Sequence, residues 1–256
     1  MDSEFADRLV VITGASSGIG LALTAQLLQQ GARVLGMARH VRGSQTLQAL
    51  LQSYPQQLLL QAGDVTRSAD LAMLRQRAVQ LGGVDYLVAC AGHAELAGSL
   101  DQAAFDRQWA VNGAGALNTL AALRGALGSN SSVVFLGSFL SQASFPGLAA
   151  HSAGKAALIT QVRSLAVEFA PLDVRINLVS PGPTATALWD GLGLAEGELE
   201  QLAGQLGRRL LPGHFVDAAA VAQVIAFQLS QGARGVYGQD WVVDNGYSLR
   251  QGHGAA

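Results

Sequence analysis

Short apolar runs recur along the chain, each followed by a longer stretch in which apolar and polar positions mix. The runs are RLVVIT (8–13), RVLGMA (33–38), QLLLQA (57–62), VDYLVAC (84–90), SVVFLG (132–137), VRINLV (174–179) and DWVVD (240–244). Most are nearly continuous in apolar residues. A strand with one wet face alternates apolar and polar side chains, whereas a strand covered on both faces does not. The runs therefore predict about seven strands of a buried parallel sheet. The stretches between them are helix-length, as at 103–127 and 151–170. Strand–helix alternation with right-handed crossovers gives a doubly wound α/β fold with helices on both faces of the sheet. No Pro/Gly-rich linker divides the chain, so residues 1–256 are read as one domain.

One segment breaks the alternation. Residues 183–215 lie between two strands, carry many glycines and read as a lid-like insertion over the carboxyl edge of the sheet. Ligands of open α/β folds bind at that edge.

Composition narrows the class. Half of the 256 residues are apolar and 13% are charged, with 31 glycines, which suits a compact enzyme and argues against disorder. A net charge of −2 leaves no basic footprint for nucleic acid. The single cysteine, Cys90, rules out an intramolecular disulfide and fits a reducing compartment. No window has the roughly 18 consecutive apolar residues of a membrane-spanning helix, and the acidic start MDSEF does not read as a signal peptide. The chain is expected to be cytoplasmic and to have no membrane partner. Histidines stand at 40, 93, 151, 214 and 253, none at metal-ligand spacing from another, so no metal is assigned.

The first strand runs into VVITGASSGIGLAL, which places Gly14, Gly18 and Gly20, with Ser16, Ser17 and Ile19 between them, at a strand-to-helix turn. Glycines allow a tight turn and close approach of backbone to a phosphate, and the helix start offers free N–H groups to it. The turn predicts dinucleotide binding on a Rossmann-like sheet. Its spacing, three residues and then one between glycines, resembles that of the short-chain dehydrogenase/reductase family, and the resemblance runs along nearly the whole chain. GDVT (63–66) is similar to the family's adenine-pocket turn, with Asp64 and Val65. ACAG (89–92) matches the turn after the fourth strand, with Ala91 and Gly92, although the family usually has asparagines at the places of Ala89 and Cys90. Asn112 in WAVNGAG, Ser138 in VVFLGS, HSAGK (151–155), RINLVSPGPTAT (175–186, with Pro181, Gly182, Thr184 and Thr186) and YGQDWVVDNG (237–246) come next, in the family's order.

An acid at the tip of the second strand would bind the ribose hydroxyls of NAD and repel a 2′-phosphate. Here the tip is Ala38 followed by Arg39, whose planar fork of donors suits a phosphate. The expected cofactor is NADP(H), with Arg39 on the 2′-phosphate and His40 and Arg42 close enough to help.

The resemblance implies a catalytic tetrad of asparagine, serine, tyrosine and lysine. Its positions here hold Asn112, Ser138, His151 and Lys155. Ser138 is implied to bind the substrate oxygen, Lys155 the nicotinamide ribose, and Asn112 a water leading from Lys155 to solvent. A histidine departs from the pattern. An ammonium pulls a phenol's pKa from about 10 toward neutrality but pushes an imidazole below its usual value of about 6.5. His151 is therefore expected to be neutral and a weak acid, and its ring is shorter than a phenol. Three readings stay open. His151 works as the acid–base residue of a carbonyl reductase or alcohol dehydrogenase. Alternatively, the frame serves non-redox acid–base chemistry such as elimination, isomerisation or carbon–carbon cleavage. Or catalysis is impaired, in a nucleotide-binding protein or an engineered inactive variant.

His93 and Glu95 lie just after the CAG turn near the expected mouth of the site; they are read as surface residues, with contact to substrate or nicotinamide as the alternative. Phe139, Leu140, Phe145, Leu188 and Trp189 predict an apolar pocket for a small, mostly apolar substrate with one carbonyl or hydroxyl. By resemblance, the helices at 103–127 and 151–170 are expected to pair in a homodimer or homotetramer.

Overall fold

A computed structural model describes residues 3–41 and 44–249. Seven parallel strands form one sheet: β1 (Leu9–Thr13), β2 (Arg33–Ala38), β3 (Leu58–Ala62), β4 (Val84–Ala89), β5 (Leu127–Leu136), β6 (Arg175–Pro181) and β7 (Asp240–Val243), in the order β3-β2-β1-β4-β5-β6-β7. The helices are α1 (Gly18–Gln29), α2 (Gln45–Ser53), α3 (Ser68–Gln80), α4 (Gln102–Trp109), α5 (Ala116–Leu123), α6 (Ala149–Phe169), α7 (Glu196–Gly207) and α8 (Ala218–Leu229).

Burial explains the unalternating runs. Every residue of β1 and β6 is buried, because these strands are covered on both faces. The edge strands β3 and β7 are only partly buried. One core packs Leu71 and Leu74 of α3, Leu120 and Leu123 of α5 and Leu158 and Val162 of α6 against one face of the sheet. The other packs Leu23 and Leu27 of α1 with Val221 and Ile225 of α8 against the opposite face. Asp101 and Asp217 cap α4 and α8, accepting from the Ala104 and Ala219 amides at 3.0 and 2.9 Å.

Three features differ from the sequence reading. The helix expected over 103–127 is two α-helices joined by a π-helical segment, Ala110–Gly115. There, side chains at Gly113 and Gly115 would run into the Trp109 ring and into Val65, so the glycines let the widened turn pack close. Strand β5 begins at Leu127, five residues before the apolar run; its exposed start pairs with β4 across a register shift, where Asn130 takes a left-handed φ of +62°. The segment 183–215 contains α7 and a short 3₁₀ turn, Trp189–Leu192. Its Leu192, Leu206 and Leu210 form a third cluster with Phe139, Leu140 and Tyr247 at the carboxyl edge.

The chain leaves β1 toward β2 and β3 on one side and resumes at β4 on the other. This reversal opens a crevice beyond the carboxyl ends of β1 and β4.

Candidate active site

That crevice is a cleft of about 430 Å³ running from the β1–α1 turn to the 183–215 segment. Its floor is shaped by the glycines. Gly14 has φ +72°, and a side chain there would meet the Ala91 backbone at 2.9 Å. A side chain at Gly20 would overlap the Gly14 carbonyl oxygen, so the turn and the first turn of α1 lie in contact. Ser17, at the start of α1, makes no side-chain cap, and no acid stands in the first helical turn. An anion is suited to that end. Every cofactor position expected from the sequence, from Gly14 through Arg39 and Asp64 to Thr186, lines this one cleft. Arg39 and His40 stand exposed at its rim beyond buried Ala38, and Arg42 lies outside the described residues. Burial pushes the Asp64 carboxyl up. Hydrogen bonds from the Thr66 amide and hydroxyl, with the charges of Arg39 and Arg67, outweigh this and hold it below the usual range. The uncapped helix start, the close-approach glycines and a rim arginine with no acid at the tip of β2 fit a phosphorylated dinucleotide.

At the other end of the cleft, β5 and α6 bring Ser138, His151 and Lys155 together, all three buried and all three lining it. The Ser138 hydroxyl oxygen accepts from the Leu140 amide at 3.2 Å, which leaves its proton free to donate. His151 and Lys155 share one face of α6, four residues apart. Lys155 Nζ donates to the Leu136 carbonyl at 2.7 Å. Burial lowers the Lys155 ammonium to about 8. Burial first, and then the Lys155 charge, lower the His151 imidazole to about 4.

The histidine ring has a defined orientation. Its Nδ1 lies 3.1 Å from the His93 carbonyl oxygen and 3.4 Å from Asn112 Nδ2. A carbonyl oxygen can only accept, so the shorter contact puts the proton on Nδ1 and leaves Nε2 with a free lone pair. Asn112 holds the backbone of residue 93 through both of its polar groups. Its Oδ1 accepts from the His93 amide at 2.9 Å and its Nδ2 donates to the His93 carbonyl at 2.7 Å. Asn112 is fully buried and, alone among the expected catalytic residues, does not line the cleft. It reaches the site through residue 93.

His93 departs from its reading as a surface residue: it lines the cleft, and its carbonyl aligns His151. Any residue supplies a carbonyl, so the sequence carries no signal of that role. Glu95 is bridged to Arg107 at 3.0 Å on the outer side. The expected apolar residues Phe139, Leu140, Phe145, Leu188 and Trp189 all line the substrate end, joined by Leu148 and Leu192. Cys90 lines the floor, and burial pushes its thiol up to about 12.

Comparison with known proteins agrees with this geometry. A family model described as enoyl-(acyl carrier protein) reductase matches residues 14–248. A vibriobactin-specific 2,3-dihydro-2,3-dihydroxybenzoate dehydrogenase of Vibrio cholerae is 32% identical, covering 97% of this chain and 98% of that protein. A cis-4-hydroxycyclohexanecarboxylate dehydrogenase of Sinomonas cyclohexanicum is 34% identical, covering 97% and 99%. Among solved structures, a short-chain dehydrogenase/reductase of unknown function from Caenorhabditis elegans, with cofactor, superposes with a TM-score of 0.90 at 25% identity, covering 97% of each chain.

Proposed function

The chain belongs to the short-chain dehydrogenase/reductase family, and from that premise we propose that it is an NADP(H)-dependent oxidoreductase that interconverts the hydroxyl and carbonyl forms of a small, mostly apolar substrate through an Asn112–Ser138–His151–Lys155 site. The observation that carries the reading is the continuity of one cleft from the glycine turn and Arg39 to Ser138 and His151. Bound NADP(H) supplies or accepts the hydride. The glycine turn and the start of α1 hold its pyrophosphate, Arg39 its 2′-phosphate with His40 beside it, and Lys155 its nicotinamide ribose.

The chain's own residues handle the proton. The Ser138 hydroxyl donates to the substrate oxygen and fixes it beside the ring of residue 151. His151 Nε2, unprotonated at neutral pH, takes the hydroxyl proton as the alcohol is oxidised. In carbonyl reduction the same nitrogen returns a proton it must first acquire. Burial, and after it the Lys155 charge, keep the imidazole unprotonated at neutral pH. The substrate end is walled by Phe139, Leu140, Leu148 and Trp189, which favours apolar ring or chain substrates with one reacting oxygen. The dehydrogenases similar to this chain carry names of hydroxyl-bearing small molecules, which agrees with that class. Residues 1–256 act as one unit under this reading, with 183–215 as the lid, in a cytoplasmic homodimer or homotetramer.

The test is cofactor choice together with turnover. NADPH is expected to bind more tightly than NADH, and Arg39→Ala to weaken NADPH about tenfold or more while leaving NADH nearly unchanged. NADP⁺ reduction with a panel of apolar secondary alcohols, monitored at the NADPH absorbance, is expected to show turnover. Equal affinity for the two cofactors would end the NADP(H) assignment, and no turnover on any alcohol or ketone would end the oxidoreductase reading.

A further inference from the structure

A neutral His151 leaves a gap in the chemistry. A proton that it takes from the substrate must be given up quickly, yet its Nδ1–H is held by a peptide carbonyl and Asn112 sits behind the cleft wall. A carbonyl cannot carry the proton onward without becoming an unstable imidic acid. The way out has to start from Nε2, on the cleft side.

A second imidazole, close to the reacting centre, is placed to provide it. His93 lines the same cleft, its ring lies near enough for its charge to act on His151, and its side chain is about one-third exposed to solvent. The N–H and C=O of residue 93 are held by Asn112 at 2.9 and 2.7 Å, so its backbone and the His151 ring are set by one local framework. Its Nε2 lies 3.6 Å from Glu95 Oε2. Arg107 grips the other carboxylate oxygen at 3.1 Å from Nε and 3.0 Å from Nη2. The carboxylate stands beside the ring, where it would favour a protonated His93. The charged and titratable groups around His93 are thus Glu95 on its own loop, Arg107 on α4 through Glu95, and His151 on α6, whose imidazole feels the charge of His93. Lys155 lies behind His151 on the same helix.

Resting on the oxidoreductase reading above, we infer that the His93 side chain is a second acid–base group of this site, which takes the proton from His151 Nε2 by way of cleft water and hands it to solvent beside Glu95. The balance is simple. In alcohol oxidation the carbinol C–H bond breaks and its hydride goes to the oxidised nicotinamide. The O–H proton goes to His151, then to His93 and then to bulk water. Carbonyl reduction runs the same path backward, with His93 recharging His151. His93 therefore has two separable roles, positioning through its carbonyl and proton transfer through its ring, and a side-chain substitution removes only the second.

The experiment compares kcat and KM for alcohol oxidation in the unaltered enzyme, His93→Gln and Glu95→Gln, with NADPH binding and thermal melting as controls of folding. His93→Gln is expected to lower kcat on the order of 100-fold with cofactor affinity kept, and added imidazole to restore part of the rate. Glu95→Gln, a milder change on the surface, is expected to lower kcat severalfold and to change its pH profile. Unchanged kcat and pH profile in both variants overturns the inference while leaving the oxidoreductase reading in place. Loss of rate in His93→Gln without imidazole rescue, with Glu95→Gln unaffected, also overturns it, because that pattern marks a purely structural residue. No turnover by the unaltered enzyme removes both readings together.

Discussion

At residue 151 an imidazole is sealed beside an ammonium, and the two titrate in opposite corners of the accessible pH range. His151 falls to about 4 through burial and the Lys155 charge, and Lys155 to about 8 through burial. Alcohol oxidation needs the unprotonated ring, so the acid limb of its kcat profile is expected near pH 4, with activity lost as pH falls through that value. In His151→Tyr the Lys155 charge still lowers the pKa, but it now favours the ionised form of the side chain instead of the neutral one. A phenol starts near 10 and an ammonium draws it downward, so the reactive phenolate forms only at higher pH. The variant's acid limb is expected at least about two pH units above the parent's, read from a pH–rate series on one alcohol. Both profiles should bend as Lys155 loses its charge above about pH 8. Ser138, His151 and Lys155 are singled out in sequence through the resemblance of VVFLGS and HSAGK to the family's motifs, and the structure brings the three side chains to one cleft. The contribution of residue 93 was not legible, since its positioning group is backbone, and its ring acquires meaning only beside Glu95, Arg107 and His151.

Among the elements, the widened turn at Ala110–Gly115 decides where Asn112 points. One residue of extra backbone per turn rotates the side chains around the helix axis, and here it presents the amide of Asn112 to the backbone N–H and C=O of His93. Gly113 lies against the Trp109 ring with no room for a methyl. Gly113→Ala is expected to cost about 1–3 kcal/mol in denaturant unfolding and to lower kcat more than cofactor affinity, because it moves Asn112 and so loosens the His151 ring. Equal loss in both would argue that the turn serves packing alone. Sequence periodicity reads this region as one unbroken helix, since a π turn keeps helix-forming residues and shifts the phase by too little to show in a short window. The 183–215 segment was legible as an interruption but not as structure. Its helix is anchored by Leu206, and the turn after it by Leu210, against residues distant in the chain. Strands β1, β2 and β6 were legible nearly to the residue, because burial on both faces keeps their composition mostly apolar.

Across the whole molecule, one side chain ties the sheet to the helical layer at the end opposite the cleft. Arg175 starts β6 and is buried. Its guanidinium donates to the carbonyls of Gln228, Leu229, Ser230 and Ala233 at 2.8 to 3.1 Å, at the carboxyl end of α8. Carbonyls at a helix end have no helical partner and carry the negative end of the helix dipole, so they offset the cation without a carboxylate. Desolvation still lowers the guanidinium from its ordinary value. Arg175→Met strips several charge-assisted hydrogen bonds at once and is expected to cost about 3 kcal/mol, seen as an earlier unfolding midpoint with NADPH affinity unchanged. An unaltered midpoint would show that α8 is held by its apolar face alone.

The thiol of Cys90 has a practical bearing. With its ionisation displaced to about 12, only roughly one molecule in 10⁵ carries the nucleophilic sulfur anion at neutrality. Alkylating agents and peroxide therefore meet an almost inert sulfur even in the chamber where hydride moves. The catalyst is thereby spared the oxidative shut-off to which an ionised cysteine in the same place would expose it.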